Sequence, residues 1–245
     1  RTLMKIATAM ALVATLVTPL ASHADALSED RVKELVLEAI RENPEIVLEA
    51  VQIIERREQE RQAAAAASVL SENRDLLEND PNAPVLGNPE GDVTVVEFFD
   101  YNCPYCRRVK PHIEALLDED PNVRLVYREW PILGDGSVFA ARAALAAREQ
   151  GKYEEFHWAL MGMQGRAEEA SVIQVAQEIG LDIAQLRRDM QAPEIDAHIA
   201  ASMEMSRALG FNGTPSFVIG DALVPGVIEA DQMIRLTQEA RAAGQ

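Results

Sequence analysis

Cys103 and Cys106, separated by Pro104 and Tyr105, are the only cysteines in a chain of 245 residues. A thiol is a poor nucleophile and a thiolate a strong one, so the setting of the first sulfur decides what the pair can do. Residues 93–99, Val-Thr-Val-Val-Glu-Phe-Phe, are β-branched and aromatic, the composition of a buried strand. The chain then turns through Asn102, and Pro104 suits the first turn of a helix, where a missing N–H costs nothing. Val109, Ile113, Leu116 and Leu117 continue at helical spacing. Cys103 is therefore expected at a helix N-terminus at the end of a strand. Orphan amides and the helix dipole favour an anion there. A Cys-x-x-Cys thiol in such a place titrates at roughly pH 3.5–7.5 instead of about 8.5. Cys106, one turn later, is close enough to close a disulfide, and the pair reads as a redox dithiol.

Duller readings fit less well. A structural disulfide closing a four-residue loop removes little unfolded-state entropy. A structural zinc site needs four ligands, and the chain has no second cysteine pair. Two inert buried thiols have no need of a proline between them. No metal and no cofactor is expected.

Met4-Lys5 precedes an apolar run over 6–17, followed by Thr18-Pro19 and Ser22-His23-Ala24. This has the order of a secretory signal peptide over 1–24, and the run is short for a membrane span. An uncleaved N-terminal anchor is the competing reading. Export would place the cysteines in an oxidising, periplasmic setting. Loss of a leader holding Arg1 and Lys5 and no acid leaves 221 residues with 21 basic and 40 acidic side chains, a net charge of −19. That argues against nucleic acid or an anionic membrane surface as a partner.

Residues 25–67 read as a helical appendage. Ser28 can cap a helix whose first turn holds Glu29 and Asp30, and Val32, Leu35, Val36, Ala39 and Ile40 form an apolar stripe. Asn43-Pro44 breaks and restarts it. Residues 46–54 are apolar around much of the circumference, 55–62 are wholly polar and 63–67 are five alanines. The polar part suits a semi-rigid spacer. The apolar part has no domain beside it in sequence, so self-association is expected to cover it; folding back on its own domain is the alternative. Turn signals over 80–92 lead into the main domain. Residues 123–127 read as a second strand, 130–134 as a loop, about 137–209 as helices, 216–219 and 222–224 as a hairpin around Gly220-Asp221, and 229–243 as a last helix.

Strand, Cys-x-x-Cys helix, strand, helical block, hairpin and helix in that order make an α/β thioredoxin fold with a helical insertion. At residues Glu97-Phe98-Phe99, Cys103-Pro104-Tyr105-Cys106 and Gly213-Thr214-Pro215 the chain resembles the periplasmic DsbA-like thiol–disulfide oxidoreductases. The likeness covers 83–245. The N-terminal appendage resembles that of the suppressor-of-copper-sensitivity protein C branch, which carries Cys-Pro-Tyr-Cys and is trimeric in some members. The resemblance implies that Cys103 is the nucleophile, more exposed, and Cys106 the resolving thiol, more buried and with a higher pKa. It implies a cis Thr214–Pro215 bond facing the pair, so that Thr214 and Pro215, with Pro104 and Tyr105, meet an extended substrate; a trans proline opening a strand is the alternative. The implied partners are exported cysteine-containing proteins, a membrane redox partner, and further copies of this chain in a homotrimer.

Glu97 stands on an otherwise apolar strand. Beneath the dithiol, its carboxyl can take the Cys106 proton during exchange; a snorkelling strand-end acid is the alternative. Tyr105 departs from the Cys-Pro-His-Cys of strongly oxidising members. A phenol cannot offer a thiolate the positive charge of an imidazolium, so a weaker oxidant is expected. His112, His157 and His198 read as surface or core residues, and Met161, Met163, Met190, Met203 and Met205 as helix packing. The functional expectation is a disulfide isomerase. The alternatives are a disulfide-donating oxidase and a protein that holds Cu(I) on the same sulfurs.

Overall fold

The structure, a computed structural model, describes residues 28–244; the leader expected over 1–24 lies outside them. The chain divides into two units between Arg56 and Arg57.

The first unit holds helix α1 (Glu29–Glu42) and the opening turns of α2 (Glu45–Asn79). Ser28 begins α1 as expected: its Oγ accepts the Arg31 N–H at 3.3 Å, and Glu29 and Asp30 occupy the positive end of the dipole. Asn43 ends it, its backbone N–H donating to the Ala39 carbonyl. No residue of α1 is buried. Val36, Leu37, Leu48, Ile54 and six other large apolar residues over 32–54 are between 37% and 65% exposed.

The second unit is a five-stranded sheet in the order β1-β3-β2-β4-β5, flanked by helices. Its strands are β1 (Val85–Gly87), β2 (Val93–Phe99), β3 (Val123–Glu129), β4 (Ser216–Ile219) and β5 (Ala222–Pro225). Strands β2 and β3 run parallel, joined by α3 (Pro104–Glu119); β1 and β4 pair antiparallel to them and β5 to β4. The insertion consists of α4 (Asp135–Ala146), a 3-10 turn (Ala147–Gln150), α5 (Tyr153–Gly162), α6 (Glu169–Glu178), α7 (Ile183–Asp189) and α8 (Pro193–Ala208), and α9 (Ala230–Ala242) closes the fold.

Strand β2 is buried on both faces, which explains its unbroken apolar run. Val95 and Phe99 face one core with Val109 and Ile113 of α3 and Phe156 and Leu160 of α5. Val96 and Phe98 face a second core with Val126, Trp130, Met205 and Phe211. Leu70 and Leu77 complete that second core. The helix therefore runs well past the alanines at which its pattern was expected to stop, because two leucines two turns apart are too sparse a stripe to read from sequence. Strand β1, expected as loop, is three residues at the sheet edge, too short to show an alternation.

One buried ion pair fastens the pieces. Arg128 on β3 is fully buried, donating from Nη1 to Asp80 Oδ2 at 2.8 Å and from Nε to Ser202 Oγ of α8 at 3.1 Å. His198 lies against Asp80 Oδ2 at 3.2 Å, and its Nε2 accepts the Glu129 N–H at 3.3 Å. Burial alone would raise the Asp80 carboxyl, but the His198 hydrogen bond, the Asn82 N–H and the Arg128 charge outweigh it and hold its pKa at about 2. Burial pushes His198 down from 6.5.

Asp80→Ala leaves Arg128 buried and uncompensated. Chemical denaturation should show a loss of about 3–5 kcal/mol, and a change within about 1 kcal/mol would contradict the pairing. Because Asp80 is depressed from 3.8 to about 2, its contribution is complete above roughly pH 4 and disappears as the pH falls through about 2. Acid unfolding of Asp80→Ala should lack that component.

Candidate active site

A strand end, a turn and a helix start place the dithiol. Strand β2 ends at Phe99, the chain turns over 100–102, and Cys103 is the N-cap of α3 with Pro104 in its first turn. The Cys103 N–H donates to the Asp100 carbonyl at 3.0 Å. Asp100 is buried, and its side chain latches the turn. Oδ1 accepts from the Asn102 N–H and the Ser137 hydroxyl, both at 2.7 Å. Oδ2 accepts from the N–H groups of Ile132 and Leu133 at 2.8 and 2.9 Å. Asn102 bridges to the insertion, its Oδ1 accepting the Ala167 N–H at 2.8 Å and its Nδ2 donating to the Ala167 carbonyl at 3.0 Å. Arg107 also ties the turn to the insertion, donating to the carbonyls of Tyr101 and Gly165.

Both cysteines are free thiols. Cys103 is 4% exposed and Cys106 1%. The expected order holds, but the difference is small, and the asymmetry comes from hydrogen bonding and burial instead. The Cys106 thiol donates to the Cys103 sulfur; Thr214 and the N–H groups of Cys106 and Tyr105 add donors. Against the upward pull of burial, these hold the Cys103 pKa at about 6. Burial pushes Cys106 well above the usual thiol range, helped by its hydrogen bond to Cys103 and the charge of Glu97. One sulfur is ionised at neutral pH and the other keeps its proton.

The Thr214–Pro215 peptide is cis. It sits against the pair, the Cys103 thiol donating to the Thr214 carbonyl oxygen at 3.2 Å. Pro104 and Tyr105 are exposed in front of the dithiol, Tyr105 by 52%, with the Arg108 guanidinium 5.3 Å from its ring centre. The structure thus brings together Cys103, Cys106, Pro104, Tyr105, Thr214 and Pro215.

Glu97 lies beneath them in the middle of β2 and is buried, which overturns the snorkelling strand-end reading. Burial, and then the nearby charge of Cys103, push its pKa well above the carboxylate range. A second buried acid was not anticipated. Glu129 Oε1 accepts from the hydroxyls of Tyr101 and Tyr153 at 3.3 and 3.2 Å, and the Tyr101 hydroxyl lies 3.0 Å from His157 Nδ1. His157 is buried, its pKa pushed down to about 3 by burial and by Lys110. With His198 it belongs to the core, while His112 is half-buried and turned toward Glu229. The positioning roles of Asp100, Asn102 and Ser137 also escaped sequence reading. An Asp-x-Asn turn signals a local cap, but partners 32 to 65 residues away leave no local trace.

A family model described as a DSBA-like thioredoxin domain matches residues 94–238. The crystal structure of a thioredoxin-like oxidoreductase from Silicibacter pomeroyi is 70% identical, covering 69% of this chain and 98% of that one with a TM-score of 0.69. Proteus mirabilis ScsC, crystallised in a transitional conformation, is 29% identical, covering 90% of this chain and 98% of that one with a TM-score of 0.67. The Na(+)/H(+) antiporter NhaA 1 of Salinispora arenicola is 33% identical over 137 residues. That match takes in 55% of this chain and 21% of the antiporter, so the chain spans about a fifth of that curated relative. Among the described residues, no helix is long and apolar enough to cross a membrane.

Cys103→Ser should abolish thiol exchange, and Cys106→Ser should accumulate mixed disulfides visible on non-reducing gels; the reverse pattern would swap the two roles. Tyr105→His places an imidazolium beside the thiolate and should raise the reduction potential in a glutathione titration. A lower or unchanged potential would refute the charge argument.

Proposed function

This chain belongs to the DsbA-like thioredoxin family of thiol–disulfide oxidoreductases, and we propose that within it the protein is a periplasmic disulfide isomerase that works as a homotrimer. The observation that carries this reading is the exposed apolar surface of the first unit, ten large side chains over 32–54 with no burial in α1. Exposed apolar surface of that extent marks an association site. An isomerase benefits from association more than an oxidase does. It must attack a wrong disulfide, keep hold of the substrate and try again, and several dithiols facing one substrate raise the effective concentration for each new attempt. The subunit number rests on the resemblance of the N-terminal segment to the ScsC branch.

The chemistry follows from the unequal sulfurs. The Cys103 thiolate attacks a mispaired disulfide of an exported protein. The substrate S–S bond breaks, one substrate sulfur leaves as a thiolate, and a Cys103–substrate disulfide forms. If another substrate thiolate attacks that bond, a new substrate disulfide forms and Cys103 returns as a thiolate. If none does, Cys106 attacks Cys103 and gives its proton to Glu97. The substrate sulfur then leaves as the thiolate, and a Cys103–Cys106 disulfide remains for a membrane partner to reduce. Glu97 is timed for this step. Once Cys103 is bonded to substrate its charge is gone, and with it one of the two causes that keep the Glu97 carboxyl protonated. Cis Pro215 with Thr214 presents backbone to the substrate strand beside the sulfur.

Light scattering of the chain from Asp25 onward should give an oligomeric mass at micromolar concentration. Deleting residues 25–66 keeps Leu70 and Leu77 and should yield a folded monomer that oxidises dithiols but no longer restores activity to a scrambled substrate. A monomeric mass for the longer chain would remove the assembly, equal unscrambling by both forms would remove the assembly's part in isomerisation, and no unscrambling by the longer chain would return the choice to a simple oxidase.

A further inference from the structure

On the face of the sheet under α3, three buried polar atoms have no hydrogen-bond partner among the described residues: Glu97 Oε1, the Tyr127 hydroxyl and Glu129 Oε2. Such atoms are rare in folded proteins, and clustering at one site points to use. Their placement is orderly. Glu97 and Tyr127 are directly paired across the parallel ladder of β2 and β3, so their side chains leave the sheet on the same face. The other tyrosine hydroxyls near this face are engaged, those of Tyr101 and Tyr153 with Glu129. Tyr127 alone of these three has a hydroxyl without a partner among the described residues.

We propose that Tyr127 is a positioning residue for Glu97: its hydroxyl donates to the ionised carboxylate and so prepares Glu97 to receive the Cys106 proton. The proposal rests on the reading of Glu97 as the proton acceptor and adds the residue that readies it. Tyr127 is fit to donate throughout. Burial, and then the charges of Glu97, Glu129, Cys106 and Glu114, keep its own proton in place well above pH 10. Its ring is held by the His157 ring from α5, 4.2 Å between centres, and by Phe99 at 5.1 Å. Lys110 of α3 sits over Trp158 and pairs with Glu114. A carboxylate that gains a donor ionises at lower pH, and the donor acts only on the charged form. During displacement by Cys106 the proton passes to Glu97, the new Cys103–Cys106 bond forms, and the substrate sulfur leaves as the thiolate.

The test is stopped-flow mixing of the reduced full chain with glutathione disulfide, which separates bimolecular capture by Cys103 from intramolecular displacement by Cys106. Tyr127→Phe should leave capture unchanged, which also certifies the folded site. It should move the pH inflection of displacement upward by about one unit, slowing that step several-fold at neutral pH. In a Glu97→Gln background, Tyr127→Phe should add nothing. A Tyr127→Phe displacement profile that overlays the wild type, beside an altered Glu97→Gln, overturns the role of Tyr127 alone. A Glu97→Gln profile that overlays the wild type overturns both the acceptor and its donor. A Tyr127→Phe effect undiminished without Glu97 shows that Tyr127 acts elsewhere and also overturns the proposal.

Discussion

A sulfur anion enclosed by protein has to be solvated by protein. Cys103 is nearly buried, and burial by itself raises a thiol pKa. What reverses the sign is a set of donors converging on one atom: the Cys106 thiol, the Thr214 side-chain hydroxyl, and the first amides of α3. The rest of the second unit can be understood as whatever keeps those donors in place. Two strands paired in parallel require a crossover helix, and that crossover puts a helix N-terminus at the strand end. The Asp100 carboxylate gathers four donors and so fixes the turn between them. Because two of its donors come from the 132–133 loop and one from α4, the insertion becomes part of the scaffold of the site.

The same arrangement divides the two thiols. A hydrogen bond from Cys106 to Cys103 lowers one pKa and raises the other, since it exists only while Cys106 keeps its proton and is strongest when Cys103 has lost its own. Ionisation of Cys103 stabilises the reduced protein above the pKa of an ordinary thiol, and that advantage is lost as pH falls through about 6. A reduced form stabilised in this way makes the disulfide form the better oxidant. Tyr105 offers no further cation, so the helix and its neighbours must supply the stabilisation. Glu97, on the sheet face beneath the pair, has its pKa pushed up first by burial and then by the charge of Cys103.

Much of this was visible in the residues. The apolar run 93–99, the proline inside the cysteine pair and the helical spacing after it fix a strand–helix junction without any tertiary information. The hairpin around Gly220-Asp221 is equally local. The longer reach of α2 was not visible, because Leu70 and Leu77 have meaning only against Phe98, Trp130 and Met205 of the distant second core. Strand β1 was missed because three residues carry no period. The buried charges Asp80, Arg128 and Glu129 look like surface residues in a chain this acidic, and their side-chain partners lie 24 to 118 residues away. Glu97 stood out only because its neighbours on β2 are apolar.

The central claim is that one sulfur is an anion at neutral pH and its neighbour is not, through placement alone. Carbon-13 labelling of the cysteine β-carbons in the reduced full chain, followed by NMR from pH 4 to pH 11, observes the two sulfurs separately. The account predicts that the Cys103 resonance titrates near pH 6 and that the Cys106 resonance moves only above the ordinary thiol range. Two cysteines titrating together near 8.5, or Cys106 ionising first, would contradict it.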